Sequence, residues 1–390
     1  MFSIEECKAH FLPQLMELRT ALHETPELGF AEYRTTALLR RFFSREPFEF
    51  VSLGTETGLV VRLRGARPGK TVAIRADIDA LPVPESSENP IRSQTPGCMH
   101  ACGHDMHMAY VCGAGLLLET VRAQLAGNVV LVFQPAEEPI SGAQRLLDAG
   151  LIEKLGIDCM LGSHVKPELP IGTVSIRDGA VMAAKDSFVI DVIGQGGHGA
   201  TPDACCDPII TSATIISALQ SIVSRSNDPH DAGVLSICSI HGGNADNIIP
   251  DTVRLTGSMR TTSEAQRALF KRRLREISES TAQAMNCRAI VTDLPGVPVL
   301  YNDDRLAAHC RESAGALLGE KNVMALPIET ISEDFAWYAQ RIPCCYVGIG
   351  TAEEGKPYYP LHSSRFFPSE QVLPIGAVLL AGMARDLLIE

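Results

Sequence analysis

Five side chains able to ligate a transition metal lie beside separate apolar runs of this chain, and a spare carboxylate adjoins one of them. Cys102 and His104 stand in "HACGHD", Glu138 in "FQPAEE", His164 in "LGSH" and His362 in "PLHS"; the spare carboxylate is Glu137. The runs "NVVLVF" (128–133), "DCML" (158–161) and "CCYVGIG" (344–350) lead into three of these segments. In open α/β sheets ligands gather at the carboxyl ends of strands, so residues remote in sequence can converge there. A thiolate, imidazoles and a carboxylate suit zinc or another late transition metal. A hydrolase needs the extra carboxylate; a purely structural site does not.

Each signal has a plainer reading. A Cys-x-His pair reaches one centre only from an irregular turn, and Gly103 permits one. Nearby His100 and His107 strengthen the case and read as supporting or surface residues. Adjacent glutamates usually mark a solvated face, but Glu137 and Glu138 follow a strand that should be buried. On an extended segment their side chains point apart, so Glu138 can bind metal while Glu137 faces a water and acts as general base. Singly, His164 and His362 read as structural histidines, and their case rests on the ensemble. His198 in "GQGGHGATP" is most simply an exposed turn residue, Asn247 a turn residue and Arg260 a strand-end charge. The glycines around His198 do not fit a nucleotide-binding pattern.

The elements that must position these groups alternate between helix and strand. Residues 14–23, 31–43 and 106–124 carry helical periods. "TGLVVRLRG" and "KTVAIRAD" read as a hairpin across "ARPG", and helix, strand and helix continue to about residue 183. This is α/β patterning. From 184 to 296 the order becomes β-α-β-β-α-β, with Asp207-Pro208 opening one helix and a Ser263/Gln266 capping box opening the other. That is a ferredoxin-like unit. Because α/β patterning resumes at 303, the unit reads as an insertion: residues 1–183 and 297–390 form one domain and 184–296 a second.

Composition excludes several classes of function. Of the 390 residues 45% are hydrophobic and 21% charged, and the net charge is −12. That charge disfavours nucleic acid, whose binders need basic stripes. The start "MFSIEECKAHF" lacks the features of an export signal. The longest apolar run, "LPIGAVLLAGMA", falls short of the ~20 residues of a membrane span. The twelve cysteines then read as reduced, mostly packed thiols. The expectation is a cytoplasmic protein with no membrane or nucleic-acid partner.

Together, "HETPELGFAE", "RADIDALP", "HACGHD", "FQPAEE", "GGHGATP", "DNIIPD", "SEDF" and "LHSS" occur in an order that resembles the aminoacylase-type metallopeptidases. The nearest subgroup is that of hippurate hydrolases and auxin-conjugate amidohydrolases, and the resemblance spans essentially the whole chain. It implies a metal-bearing catalytic domain with a mixed, mostly parallel sheet flanked by helices, and an inserted lid through which two copies dimerise, with higher homo-oligomers as an extension. It implies that Cys102, His104, Glu138, His164 and His362 hold one or two divalent metals (zinc, manganese, cobalt or nickel). Cys102 would bridge the pair and Glu137 would be the base. A lid His198 would stabilise the oxyanion in a partner's site, and Asn247 and Arg260 would contact substrate. Two positions depart from the pattern. Asp77 stands where peptidase relatives carry a metal-binding histidine, with Asp79 retained to orient a histidine. Asp203 stands where many relatives have a second lid histidine.

The expected activity is hydrolysis of N-acyl or N-aroyl amino acids, hippurate-like compounds first, to a carboxylic acid and a free amino acid. Alternatives are a dipeptidase or N-acetyl-diamino acid deacetylase of the same family, and a non-catalytic metal-binding scaffold.

Overall fold

The computed structural model describes residues 2–45 and 47–389. The chain divides into two compact units. The larger comprises the residues up to Gly179, Tyr301–Pro327 and those from Asp334 on; the smaller comprises Ala180–Leu300 and Ile328–Glu333.

In the larger unit the strands β1 (Phe48–Val51), β2 (Leu59–Arg64), β3 (Arg67–Asp77), β4 (Ala126–Gln134) and β5 (Cys159–Pro170) join three later strands, Val174–Ser175, Val323–Met324 and Cys344–Ala352. Among the described residues the sheet runs β1, β2, β4, β3, β5, then Cys344–Ala352, Val174–Ser175 and Val323–Met324. Its middle is parallel: β4 with β3, β3 with β5, and β5 with Cys344–Ala352. The outer pairs β1/β2 and β2/β4 are antiparallel. Residues 71–77 of β3 are all buried, which suits a strand covered on both faces.

The expected hairpin does not form. β2 and β3 are separated by β4, and the connection between them bonds to the start of β4 instead, Gly65 N–H to Gly127 O at 2.8 Å and Ala66 N–H to Leu125 O at 3.1 Å. After β5 come short strands, not the expected helix. Helices α1 (Ile4–His10), α2 (Leu12–Glu24), α3 (Tyr33–Phe42) and α4 (His104–Thr120) belong to this unit, as does the C-terminal helix Val372–Ile389. The C-terminal helix is longer than the apolar run suggested, with 72% of it buried, and it packs as a core helix beside α4. The approach is close: a Cβ at Gly376 would sit 2.8 Å from Tyr110 Cδ1.

The smaller unit has the strand order Gly233–His241, Thr252–Thr261, Ala184–Ile193, Arg288–Asp293, all antiparallel, with helices Pro208–Ser221 and Glu264–Ala284. In chain order this is β-α-β-β-α-β. Residues alternate between buried and half-buried along Ala184–Ile193, as expected where helices cover one face. Phe188, Ile190, Val192, Leu255, Phe270 and Leu274 are in its core. Asp207 caps the first helix through Ile209 N–H and Ile210 N–H. Ser263 Oγ accepts from Gln266 N–H at 3.1 Å, while Gln266 Oε1 accepts from Thr262 N–H at 2.6 Å, one residue before the reciprocal bond of a capping box. Glu329 exchanges backbone bonds with Val181 and Ala183, which ties Ile328–Glu333 to this unit.

Candidate metal centre

The larger unit brings Cys102, His104, Glu137, Glu138, His164 and His362 into one cluster. Ligand atoms of Cys102, His104 and His164 lie within 4.8 Å of one another, as do those of Cys102, Glu138 and His362. The Cys102 sulfur belongs to both groups. Glu137 forms a third group with His104 and Glu138 on the same criterion.

Backbone geometry explains the convergence. Gly103 caps α4 at φ +83°, and a Cβ there would meet Val165 Cγ2 at 2.7 Å, so only glycine lets Cys102 and His104 turn to one centre. The short apolar run 158–161 predicts His164 at a strand end. The histidine lies within β5, which continues to Pro170 because Cys344–Ala352 pairs alongside, Gly348 opposite His164. His362 takes φ +66°, held by its N–H bond to Ala101 O at 2.8 Å. The Glu137-Glu138 segment is a turn and not an extended run: Ala136 and Ile140 have φ +54° and +61°, and Ile140 N–H closes on Glu137 O at 2.7 Å.

Hydrogen bonds assign the histidine tautomers. A carbonyl only accepts, so His104 Nδ1–H donates to Asp79 O (2.7 Å) and His164 Nδ1–H donates to Val165 O (2.8 Å). In their neutral forms both rings then turn an Nε2 lone pair to the cluster, and His164 Nε2 sits 3.3 Å from Cys102 Sγ. Among the described residues, buried His104 Nε2 has no hydrogen-bond partner. Glu138 Oε1 likewise has none, its nearest counter-group being His362 Nε2 at 3.5 Å.

His107, adjacent to this set, is not free to ligate. Its Nε2 accepts Val165 N–H at 3.1 Å and its Nδ1–H donates to Asp77 Oδ1 at 2.6 Å. Asp77 is also bound by Arg75, Nη1 to Oδ2 at 2.6 Å, and Arg75 reaches Gln134 Oε1 (2.9 Å) and Asp334 Oδ1 (3.0 Å). The Asp77 carboxylate, tied to Arg75 and His107, therefore lies 3.7 Å from His104 Nε2. His100 is buried too, and burial pushes its pKa down to about 4.

The electrostatics are those of a site short of positive charge. Burial alone lowers His104, but Asp77 and the bond to Asp79 outweigh it and raise the pKa well above 6.5. The neighbouring Cys102 and then Glu138, which favour the charged imidazolium, push His362 up to about 10. Burial raises the Cys102 thiol and keeps His164 well below its ordinary value. Orphaned buried acceptors, preset tautomers and carboxylates that draw protons onto neighbouring histidines all fit divalent cations.

Asp79, expected to orient a histidine, meets His104 through its backbone carbonyl, and its side chain bonds elsewhere. Its carboxylate accepts Glu137 N–H and Glu138 N–H, each at 3.0 Å. The other three singled-out residues belong to the smaller unit. His198, exposed on the short strand Gly197–His198, pairs with Ile248, and Asn247 O accepts Gly199 N–H at 2.8 Å, so His198 and Asn247 share one ribbon. Half-buried Arg260 donates to Met259 O at 3.1 Å. Asp203 is exposed after Pro202. Sequence reading left His107 ambiguous and missed Arg75; the interruption of an apolar strand by "RAD" was the available signal.

Known proteins share this arrangement of chain. N-acetylcysteine deacetylase of Bacillus subtilis is 37% identical over 96% of this chain and 97% of its own length. IAA-amino acid hydrolase ILR1-like 4 of Arabidopsis thaliana is 36% identical over 97% of this chain and 87% of its own. The crystal structure of the Bacillus subtilis YXEP protein, a dinuclear metal binding peptidase from the M20 family, superposes with a TM-score of 0.86 at 34% identity, covering 97% of this chain and 99% of that one. The sequence pattern of peptidase family M20/M25/M40 matches residues 73–386, which take in all five candidate ligands and Glu137, and the chain belongs to that family.

Proposed function

We propose that this protein hydrolyses the amide bond of N-acyl amino acids, with Cys102, His104, Glu138, His164 and His362 holding one or two divalent ions and Glu137 as general base. The observation that carries the reading is the spare carboxylate. Glu137 is buried beside Glu138, with an oxygen within 4.8 Å of ligand atoms of both Glu138 and His104, more acid than a closed structural site requires. When bound, the ions supply Lewis acidity, polarising the amide carbonyl and lowering the pKa of a water towards ~7. Glu137 then takes that water's proton and delivers it to the departing amine, which leaves poorly as an anion. His104 and His164, their Nδ1–H groups fixed on backbone carbonyls, keep their rings oriented throughout.

Most of the similar relatives act, by name, on acylated amino acids, whereas two at 36% identity are named thermostable carboxypeptidases. N-acetylcysteine, the IAA-amino acids and the N-acetyldiaminopimelate of a deacetylase that is 35% identical over 96% of this chain all join an acyl group to an amino acid nitrogen. Small N-acetyl amino acids are therefore candidates alongside hippurate-like N-aroyl compounds. His198 is proposed as an oxyanion donor contributed by a second copy of the chain, and Asn247 and Arg260 as contacts to the substrate's amino acid part. The test is a panel of N-acetyl amino acids, hippurate, indole-acetyl amino acids and dipeptides. Each is assayed for release of free amino acid in chelator and after return of manganese, zinc, cobalt or nickel. Metal-dependent release from acylated amino acids supports the reading, and release from dipeptides alone makes the protein a dipeptidase. Bound metal with no hydrolysis across the panel leaves the scaffold reading.

A further inference from the structure

Two adjacent glutamates are chemically identical, so only the backbone can decide which one ligates metal and which one handles protons. The turn that makes this decision carries a conformation that its own sequence disfavours. Ala136, at φ +54°, lies in the left-handed region, where a Cβ crowds the following carbonyl oxygen. No glycine stands between Pro135 and Ile140 to relieve it.

Two carboxylates from outside the turn hold it. Three successive amides donate to them: Ala136 N–H to Glu32 Oε1 at 2.8 Å, and Glu137 N–H and Glu138 N–H to the two oxygens of Asp79 at 3.0 Å each. Both acids are fully buried, each 0% exposed. Carboxylates are costly to bury, so two of them directed at three consecutive amides mark a constrained segment. Their own segments are joined, because Ala80 N–H donates to Glu27 O at 2.8 Å and Leu28 bridges Ala80. The Glu32 segment is also packed hard on the turn: a Cβ at Gly29 would fall 2.8 Å from Pro139 Cγ and 3.2 Å from Ala136 Cα.

We infer that Glu32 is a positioning residue which, by holding the Ala136 amide, keeps the turn in the form that gives Glu137 and Glu138 their separate tasks. This rests on the reading of Glu138 as ligand and Glu137 as base. Without Glu32, the Ala136 peptide is free to leave the left-handed region, and either carboxylate can swing to the ions.

The experiment compares Glu32→Gln, which keeps an acceptor oxygen at the same reach, with Glu32→Leu, which removes it. Both are loaded with Co(II), whose visible spectrum reports the ligand set independently of turnover. The Gln variant should keep the wild-type spectrum and kcat. The Leu variant should show an altered spectrum and a kcat lower by about 10–100-fold, the usual cost of losing a group that orients a ligand. Adding Ala136→Gly to the Leu variant should restore part of both, since glycine takes positive φ without a Cβ penalty. A purely structural Glu32 lowers the folded fraction while leaving the spectrum and kcat per folded site unchanged, and that result overturns the inference. If Glu32→Leu does not fold, Glu32→Asp withdraws the carboxylate by one methylene, and a wild-type spectrum and kcat there are equally decisive. Failure of the underlying reading shows separately, as Glu137→Gln and Glu138→Gln variants that do not divide between turnover and metal binding in an otherwise wild-type chain.

Discussion

Raising the pH from 6.5 to 9 should strip the larger unit of stability that a His23 variant lacks throughout. His23 is 1% exposed and lies between two carboxylates, its Nδ1 3.0 Å from Asp105 Oδ2 and its Nε2 2.8 Å from Glu85 Oε1. Carboxylate oxygens at both nitrogens require both to donate, which only the imidazolium does. Burial by itself lowers the pKa, but Asp105 and then Glu85 outweigh it and raise it from 6.5 to about 9. A folded-state value above the unfolded one means the stabilisation is complete below pH 6.5 and is lost as pH rises through about 9. Moving this group from 6.5 to about 9 corresponds to about 3 kcal/mol of preferential stabilisation of the charged form. Arg19 Nε also binds Asp105 Oδ2 at 3.0 Å, so the carboxylate keeps a partner after His23 loses its charge. The chain's single tryptophan, Trp337, belongs to the larger unit, and its fluorescence reports the unfolding of that unit. Urea unfolding of wild type and His23→Gln, both in chelator so that metal release adds no pH dependence, should show a gap in ΔG that closes by about 3 kcal/mol between pH 6.5 and 9.5. A gap that stays constant would refute a charged His23, and one that widens would reverse the sign of the argument.

Glu137→Gln should retain near-normal metal content while kcat falls by ~10² or more, whereas Glu138→Gln should lose metal; the opposite pattern in metal analysis and steady-state kinetics means the pair is reversed. Cys102→Ala should weaken every bound ion, because its sulfur belongs to both ligand groups, and loss of only one of two equivalents on dialysis would argue against a shared thiol. His198→Ala and Glu137→Gln should each be nearly inactive. A mixed dimer should recover up to about half of wild-type activity, since one site then joins an intact Glu137 to a His198 from the other copy; mixtures as inactive as their parents despite proven subunit exchange exclude the shared site.

Much of this site was legible because its ligands sit in short, unusual motifs whose residue types already specify the chemistry. Gly103 between Cys102 and His104 announced its turn, and the β-α-β-β-α-β order of the smaller unit followed from alternation and caps, which are local signals. The misreadings all concern partners distant in sequence. β2 and β3 look like a hairpin until β4, about 60 residues later, enters between them. The apolar run before His164 ends at Leu161, yet β5 continues because a strand some 180 residues downstream pairs with it. Nothing in "PAEEPI" shows that Ala136 and Ile140 are left-handed, because the groups that hold the turn come from Glu32 and Asp79.

The strand Cys344–Ala352 lies in the interior of the large sheet, with β5 on one side and Val174–Ser175 on the other. During synthesis, β5 therefore emerges long before its neighbour exists. At about 5–20 residues per second, roughly 10–40 s separate the end of β5 from the end of its partner, while the contiguous part of the smaller unit is completed in between. Throughout that interval a buried-type strand presents an unpaired edge, the kind of template on which chains aggregate. A chain terminated just before Cys344 would already hold Cys102, His104, Glu138 and His164, but it would carry them on a sheet whose open edge nothing closes.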